Sequence, residues 1–249
     1  MRKGIADGVS SLHPEPSHGR NVPSFRSRLR IAALAAFISL GAAATPPSDA
    51  LQAQLDAAVS QYADGKVRLA QRSFEALDRK GVPAAAYNLG VMHLRGEVPS
   101  ASARQAARLL RRAADAGFVT AEFTLGQAYE TGALGKPDLA EAHRWFERAA
   151  GHGSVDAQVA AATAYYLGRG APKSSPDALR WYREAAKGGD VGAQYLVASM
   201  YEQGDGTERD LRLARYWYDI AARNGDPAAP GKVEELDART GAASTTAPP

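Results

Sequence analysis

The chain has 249 residues, 45% hydrophobic and 23% charged, a composition that suits a folded soluble protein of one or two domains. It contains no Cys, which excludes disulfides, thiolate nucleophiles and Cys-ligated zinc or iron–sulfur sites. The formal charge of +3 is unevenly spread: residues 1–44 hold 6 Lys and Arg against 2 Asp and Glu, leaving 24 against 25 afterwards. The body is therefore near neutral, and no nucleic-acid partner is implied.

In chain order, residues 1–25 are rich in Pro, Ser and His and read as a disordered leader or an overlong start. Residues 26–44 carry Arg26, Arg28 and Arg30, an apolar run from Ile31 to about Leu40, and Ala42-Ala43-Ala44. A charged region, a short apolar region and small residues at −3 and −1 predict a secretory signal peptide cleaved after Ala44, and hence a periplasmic or secreted protein. The apolar run is too short to span a bilayer, which needs about 18–20 apolar residues. No stable membrane insertion is expected after cleavage.

Residues 45–83, with "DAAVSQYADGKVRLAQRSFEALDRKG", predict one helix pair turning at Asp64-Gly65 and covering the N-terminal end of a helical stack. From 84 to 226 the sequence repeats itself four times at an interval of 36 without gaps. The first helix of each unit reads "AAYNLGVMHLRG", "AEFTLGQAYETG", "AQVAAATAYYLG" and "AQYLVASMYEQG". The second reads "ARLLRRAADAG", "AHRWFERAAGHG", "LRWYREAAKGG" and "ARYWYDIAARNG". Such a period marks a solenoid of helix pairs, each too small to bury its apolar side alone. The predicted fold is all-α, a right-handed superhelix of about five helix-turn-helix pairs. Residues 227–249 predict a short terminal helix and a disordered tail.

Each recurring residue type has a mechanical reason. Ser102, Asp138, Ser174 and Asp210 precede the second helices and suit N-caps. Gly96, Gly132, Gly168 and Gly204 close the first helices, where a left-handed residue ends the helix at little steric cost. Gly90, Gly126, Ala162 and Ala198 are small so that the partner helix can approach. Trp145, Trp181 and Trp217 share one place on the second helix and are read as wedges between repeats rather than a ligand cage.

The pattern A-x-x-x-L-G-x-x-Y-x-x-G, a loop, then A-x-x-W-[FY]-x-x-A-A-x-x-G resembles the Sel-1-like repeat, a relative of the tetratricopeptide repeat. "AEFTLGQAYETGALGKPDLAEAHRWFERAAGHG" is the copy most like that pattern. Units one and three depart from it at Leu109, His93 and Ala161-Ala162, and the loops of units one and two lack the frequent G-x-G-V. The resemblance implies a non-enzymatic scaffold, adaptor or regulator that binds another protein, in a bacterial envelope. The alternative it leaves is a cell-wall- or β-lactam-recognising protein with hydrolase activity; the relatives so linked form a Cys-rich subgroup, which this Cys-free chain does not match.

The residues themselves offer little chemistry. No Gly-rich phosphate loop, nucleophile elbow or metalloprotease helix occurs, so no catalytic residue, cofactor or metal is expected. His93 falls in a core slot; His143 and His152 are expected to face solvent. Glu130 and Glu202, 72 apart, read as solvated surface acids rather than a catalytic pair.

Helical geometry suggests where a partner docks. In unit one Ala85, Leu89 and His93 point into the pair, and Tyr87, Val91 and Leu94 lie half a turn away. That second side is expected to line the concave face of the superhelix. Its residues are Tyr87, Phe123, Gln127, Glu130, Thr163, Tyr166, Tyr195, Ser199 and Glu202. Tyr87, Phe123 and Tyr195 have a second reading, as packing against the neighbouring first helix. The expected partner is a protein or peptide, and the expected state a monomer.

Overall fold

The computed structural model describes residues 48–241, which form eleven α-helices and no strand. The expected leader, signal peptide and last eight residues lie outside the described residues. An N-terminal pair, α1 (Asp49–Ala63) and α2 (Val67–Arg79), precedes four units. Unit one is α3 (Pro83–Arg95) and α4 (Ala103–Asp115); unit two is α5 (Val119–Thr131) and α6 (Leu139–Gly151). Unit three is α7 (Val155–Leu167) and α8 (Ser175–Lys187); unit four is α9 (Val191–Gln203) and α10 (Leu211–Arg223). One helix, α11 (Ala229–Thr240), follows. Each second helix packs on the first helix of its own unit and on the first helix of the next.

The eight unit helices are each 13 residues long, and punctuation sets that length. Ser102, Asp138 and Ser174 accept the backbone N–H three residues on, at 3.2, 2.9 and 3.3 Å, and Asp210 accepts from Leu213 at 3.0 Å. A second series was not anticipated. Ser154 and Asp190, again 36 apart, cap α7 and α9 through Ala157 and Ala193, and Asp226, 36 further on, accepts from Ala228 and Ala229 at the entry to α11. Units one and two begin instead with Val82 and Phe118, whose side chains cannot accept a hydrogen bond.

The interior small residues act as expected. A Cβ on Gly126 would meet the Phe146 ring at 2.5 Å, so helix α6 owes its close approach to the missing methyl group. The connections between first and second helices solve one problem in two ways. In units one and two the place is filled by Val98, which is buried, and Leu134, which is partly buried. In units three and four the equivalents are Gly170 and Gly206, at φ +80° and +76°. A Cβ on Gly206 would stand 2.5 Å from the Ser175 carbonyl oxygen of the preceding unit. Backbone rests on backbone there, which only Gly permits.

Apolar clusters run across the unit boundaries. One joins α3, α4 and α5 through Tyr87, Val91, Leu94, Leu110 and Leu125. Trp145 packs against it, and Trp181 packs against the cluster made by α6 and α7, so these rings sit at joints between successive units. Helix α11 behaves as the first helix of a fifth unit. Its Ala229 and Leu236 are fully buried, each 36 residues beyond Ala193 and Met200.

A correction concerns the first helices. The side carrying Tyr87, Val91 and Leu94 is not open but faces the next unit, and Tyr87 is 2% exposed. The opposite side, with Ala85, Leu89 and Met92, packs on the N-terminal pair. A first helix in a stack is covered by the unit before it, the unit after it and its own second helix. One narrow stripe is left.

Candidate partner-binding surface

That stripe is built from residues one notch away from the expected side. On α7 it runs through Asp156, Ala160, Thr163 and Leu167, and on α9 through Gly192, Leu196, Ser199 and Gln203, at the i, i+4, i+7, i+11 spacing of one helix face. Leu167 is 52% and Leu196 40% exposed, and Tyr166 beside them is 36% exposed. These three large apolar side chains stand on adjacent first helices of units three and four.

The nine residues proposed from the sequence divide accordingly. Tyr87, Phe123 and Tyr195 are packing residues: their rings lie 5.2, 5.7 and 5.0 Å from those of Phe118, Phe146 and Tyr218. Gln127, Thr163 and Ser199 are half-buried along the stripe, and Thr163 shares a 2.9 Å hydrogen bond with the Tyr182 hydroxyl. Glu130 and Tyr166 are exposed. Glu202 is largely shielded; it accepts from the Tyr218 hydroxyl at 3.0 Å and pairs with Arg239 at 2.9 Å and Lys232 at 3.6 Å of α11. Glu202 therefore fastens the terminal helix, while Glu130 makes no hydrogen bond or ion pair among the described residues.

Behind the stripe, burial makes the phenols hard to ionise. Burial, and then the Glu147 carboxylate that accepts from it at 2.7 Å, pushes the Tyr165 phenol up to about 12. Burial likewise raises Tyr182 and Tyr218. His143 corrects a second expectation. It is buried, edge-on to Tyr165 at 4.6 Å, and burial holds its imidazole below its usual range. Its equivalents are Ala107 and Leu179, both buried, and Arg215, which is partly buried and pairs with Asp237, so the repeat register gives no uniform signal at this place.

The sequence reading also missed an internal polar joint. Glu122 is fully buried. Its Oε1 lies 2.7 Å from Arg148 Nε, and its Oε2 lies 2.8 Å from Nδ1 of the half-exposed His152. Arg148 also donates to the Ala114 carbonyl at 2.8 Å and pairs with Asp115 at 3.1 Å, tying α6 to the end of α4. The places of Glu122 and His152 hold Gln194 and Asn224 in unit four, joined at 3.0 Å, and Ala86 and Ala116 in unit one. In unit three they hold Gln158 and Gly188, and Gln158 Oε1 is buried with no hydrogen-bond partner among the described residues. Reading the two positions as a pair across the four units would have exposed this covariation. These groups pair with one another across the boundary between units one and two, so the joint holds the two units together.

Among the described residues no group of three or more His, Asp or Glu is placed to hold a metal ion, and no helix is long and apolar enough to cross a membrane. A cleft of about 290 Å³ lies between α8 and the connection that follows α9, lined by Arg180, Arg183, Tyr201 and Thr207 among others.

A linear stack of helix pairs, with interlocked cores and one exposed first-helix seam, defines an α-solenoid. The Sel1 repeat family model matches residues 83–118, 119–154, 155–190 and 191–226, and the chain belongs to that family. Solved structures agree. The chain is similar to c5321, a protective antigen present in uropathogenic Escherichia coli strains and displaying an SLR fold, at 29% identity and TM-score 0.61. That match covers 68% of this chain and 36% of the antigen. It is also similar to a Sel1 repeat protein from Oxalobacter formigenes, at 32% identity and TM-score 0.60, covering 68% of this chain and 49% of the other. The chain thus spans half or less of these relatives' length. No curated protein sequence matches it.

Proposed function

We propose that this protein is a non-catalytic adaptor or regulator that holds a partner protein on the seam of its first helices, exported to the bacterial envelope. Proteins of this repeat fold are typically interaction scaffolds, and Sel1 repeats commonly mediate protein–protein contacts. The observation that carries the reading is the exposure of Tyr166, Leu167 and Leu196 on neighbouring first helices. Exposed aromatic and aliphatic side chains beside half-buried polar ones are the make-up of an interaction core. The signal-like segment of residues 26–44 supports export.

The test compares co-purification by the full chain with that of two surface variants. Leu167→Ser with Leu196→Ser removes the seam's apolar surface. Leu213→Ser with Tyr216→Ser removes as much from the second-helix side, where both residues are exposed. Loss of one specific partner with the first variant alone is expected; equal retention by both refutes the seam. A fusion of residues 1–50 to a reporter active only in the periplasm tests export, and a silent reporter refutes it.

A further inference from the structure

We propose that Glu130 is the receptor for a Lys or Arg side chain of the partner, and that the same partner segment places a large apolar side chain on Tyr166 and Leu196, about three residues away. This rests on the seam reading above and assigns the partner its chemistry.

The molecule displays the required contact once already. Lys232 and Arg239 of α11 are the cations that reach Glu202, the last acid of α9. Since α11 stands as a fifth first helix, the 36-residue register shows what faces each earlier joint. Opposite Tyr166 the equivalents of Lys232 and Arg239 are Leu196 and Gln203. Opposite Glu130 they are Ala160 and Leu167. Glu130 thus occupies the place of Glu202 with its two cations replaced by aliphatic side chains, and it is exposed and unpaired among the described residues.

A carboxylate beside an exposed leucine suits a long cationic side chain, whose alkyl stem lies on the apolar surface while its head reaches the charge. Little in the chain competes for the site. Helices α5, α7 and α9 contain no Lys or Arg, whereas α6, α8 and α10 contain eight. The cations of the flanking connections, Lys136 and Arg169, form no ion pair with Glu130. Packed helices lie roughly 8–10 Å apart, and an extended chain advances about 3.3 Å per residue. A segment running along the stack therefore meets the next joint, Tyr166 with Leu196, about three residues after its cation. The occupant is an extended segment of the form Lys/Arg-x-x-Leu/Ile/Phe/Met.

Selection of displayed random peptides on the full chain tests this, followed by anisotropy titrations of the selected sequences. The expected result is enrichment of that spacing, with affinity falling as salt rises. Glu130→Gln should weaken binding by about two- to five-fold, the range of an exposed ion pair. Glu130→Lys should abolish it and bind peptides with Glu in place of the cation. Glu208→Gln, an exposed acid of the last connection, should leave affinity unchanged. Peptides without a basic residue, or equal affinity for Glu130→Gln, overturn the cation receptor. The seam reading survives that outcome if Leu167→Ser with Leu196→Ser still removes binding. No binding that depends on the seam defeats both. A dimer in light scattering that Glu130→Lys dissociates makes a second copy the occupant and overturns the foreign segment.

Discussion

Replacing Arg148 by Ala perturbs the buried joint at its most sensitive point. Glu122 is fully buried, and without Arg148 its carboxylate keeps only His152, 2.8 Å away. Breaking a buried pair from one side costs about 3–5 kcal/mol, because the remaining charge has lost both water and its partner. Arg148→Ala also removes the bond to the Ala114 carbonyl and a cation–π contact with Trp145 at 5.2 Å, worth about 0.5–1 kcal/mol. Glu122→Gln should behave differently. Gln158 and Gln194 stand at the equivalent places and donate to the carbonyls of Ala150 and Ala186, at 3.3 and 3.2 Å. The freed Arg148 remains partly exposed and keeps Asp115. The expected cost is about 1 kcal/mol, that of one ordinary hydrogen bond. In the double variant the buried charge is gone, so it should be more stable than Arg148→Ala alone by about 2 kcal/mol. Urea denaturation at pH 8, followed by far-ultraviolet dichroism and tryptophan fluorescence, reads all four proteins. Equal destabilisation by Arg148→Ala and Glu122→Gln, or additivity in the double variant, would refute this account of the joint.

Gly206→Ala should cost about 2–4 kcal/mol, combining a left-handed residue with a Cβ driven into the Ser175 carbonyl. Gly192→Ala, on the open face of α9, should stabilise by about 0.4–1 kcal/mol in the same denaturation assay. Burial depresses His143 below its ordinary value near 6.5, so the unfolded chain takes up its proton first. Stability is then complete above about pH 6.5 and declines as pH falls from there to the depressed native value. His143→Leu, copying Leu179, should flatten part of that slope in melting curves from pH 5 to 8; His93, depressed by burial and then by Arg108, leaves the remainder. Thermal-shift titration with muropeptides and β-lactams should give no shift at millimolar ligand; a rise of several degrees would favour the cell-wall reading.

The repeat register made most of the fold legible. Helix boundaries, second-helix caps, small interior residues and the tryptophan wedges all arise from residue types that recur at 36. The seam was harder to read. Leu94 and Tyr166 share one place in the 36-residue register, yet Leu94 is buried and Tyr166 is exposed. A helical wheel shows two faces, whereas a stacked helix has three covered sides, and which stripe stays open depends on how the units cross. The polar joint escaped because Glu122, taken alone, reads as a surface acid; only its pairing with position 152 across four units marks it as interior. His143 escaped because its equivalents, Ala107, Leu179 and Arg215, share no one character, so its burial depends on the Tyr165 ring it meets. Glu202 read as solvated because α11 was not recognised as another first helix carrying its own cations.

Photocrosslinking in living cells reports most directly on whether the first-helix seam is where a partner is held. With a photoreactive residue at position 166, a discrete crosslinked species should form, and the same residue at position 183, on the second-helix side, should give none. A crosslink at 183 without one at 166, or equal capture at both, contradicts the seam.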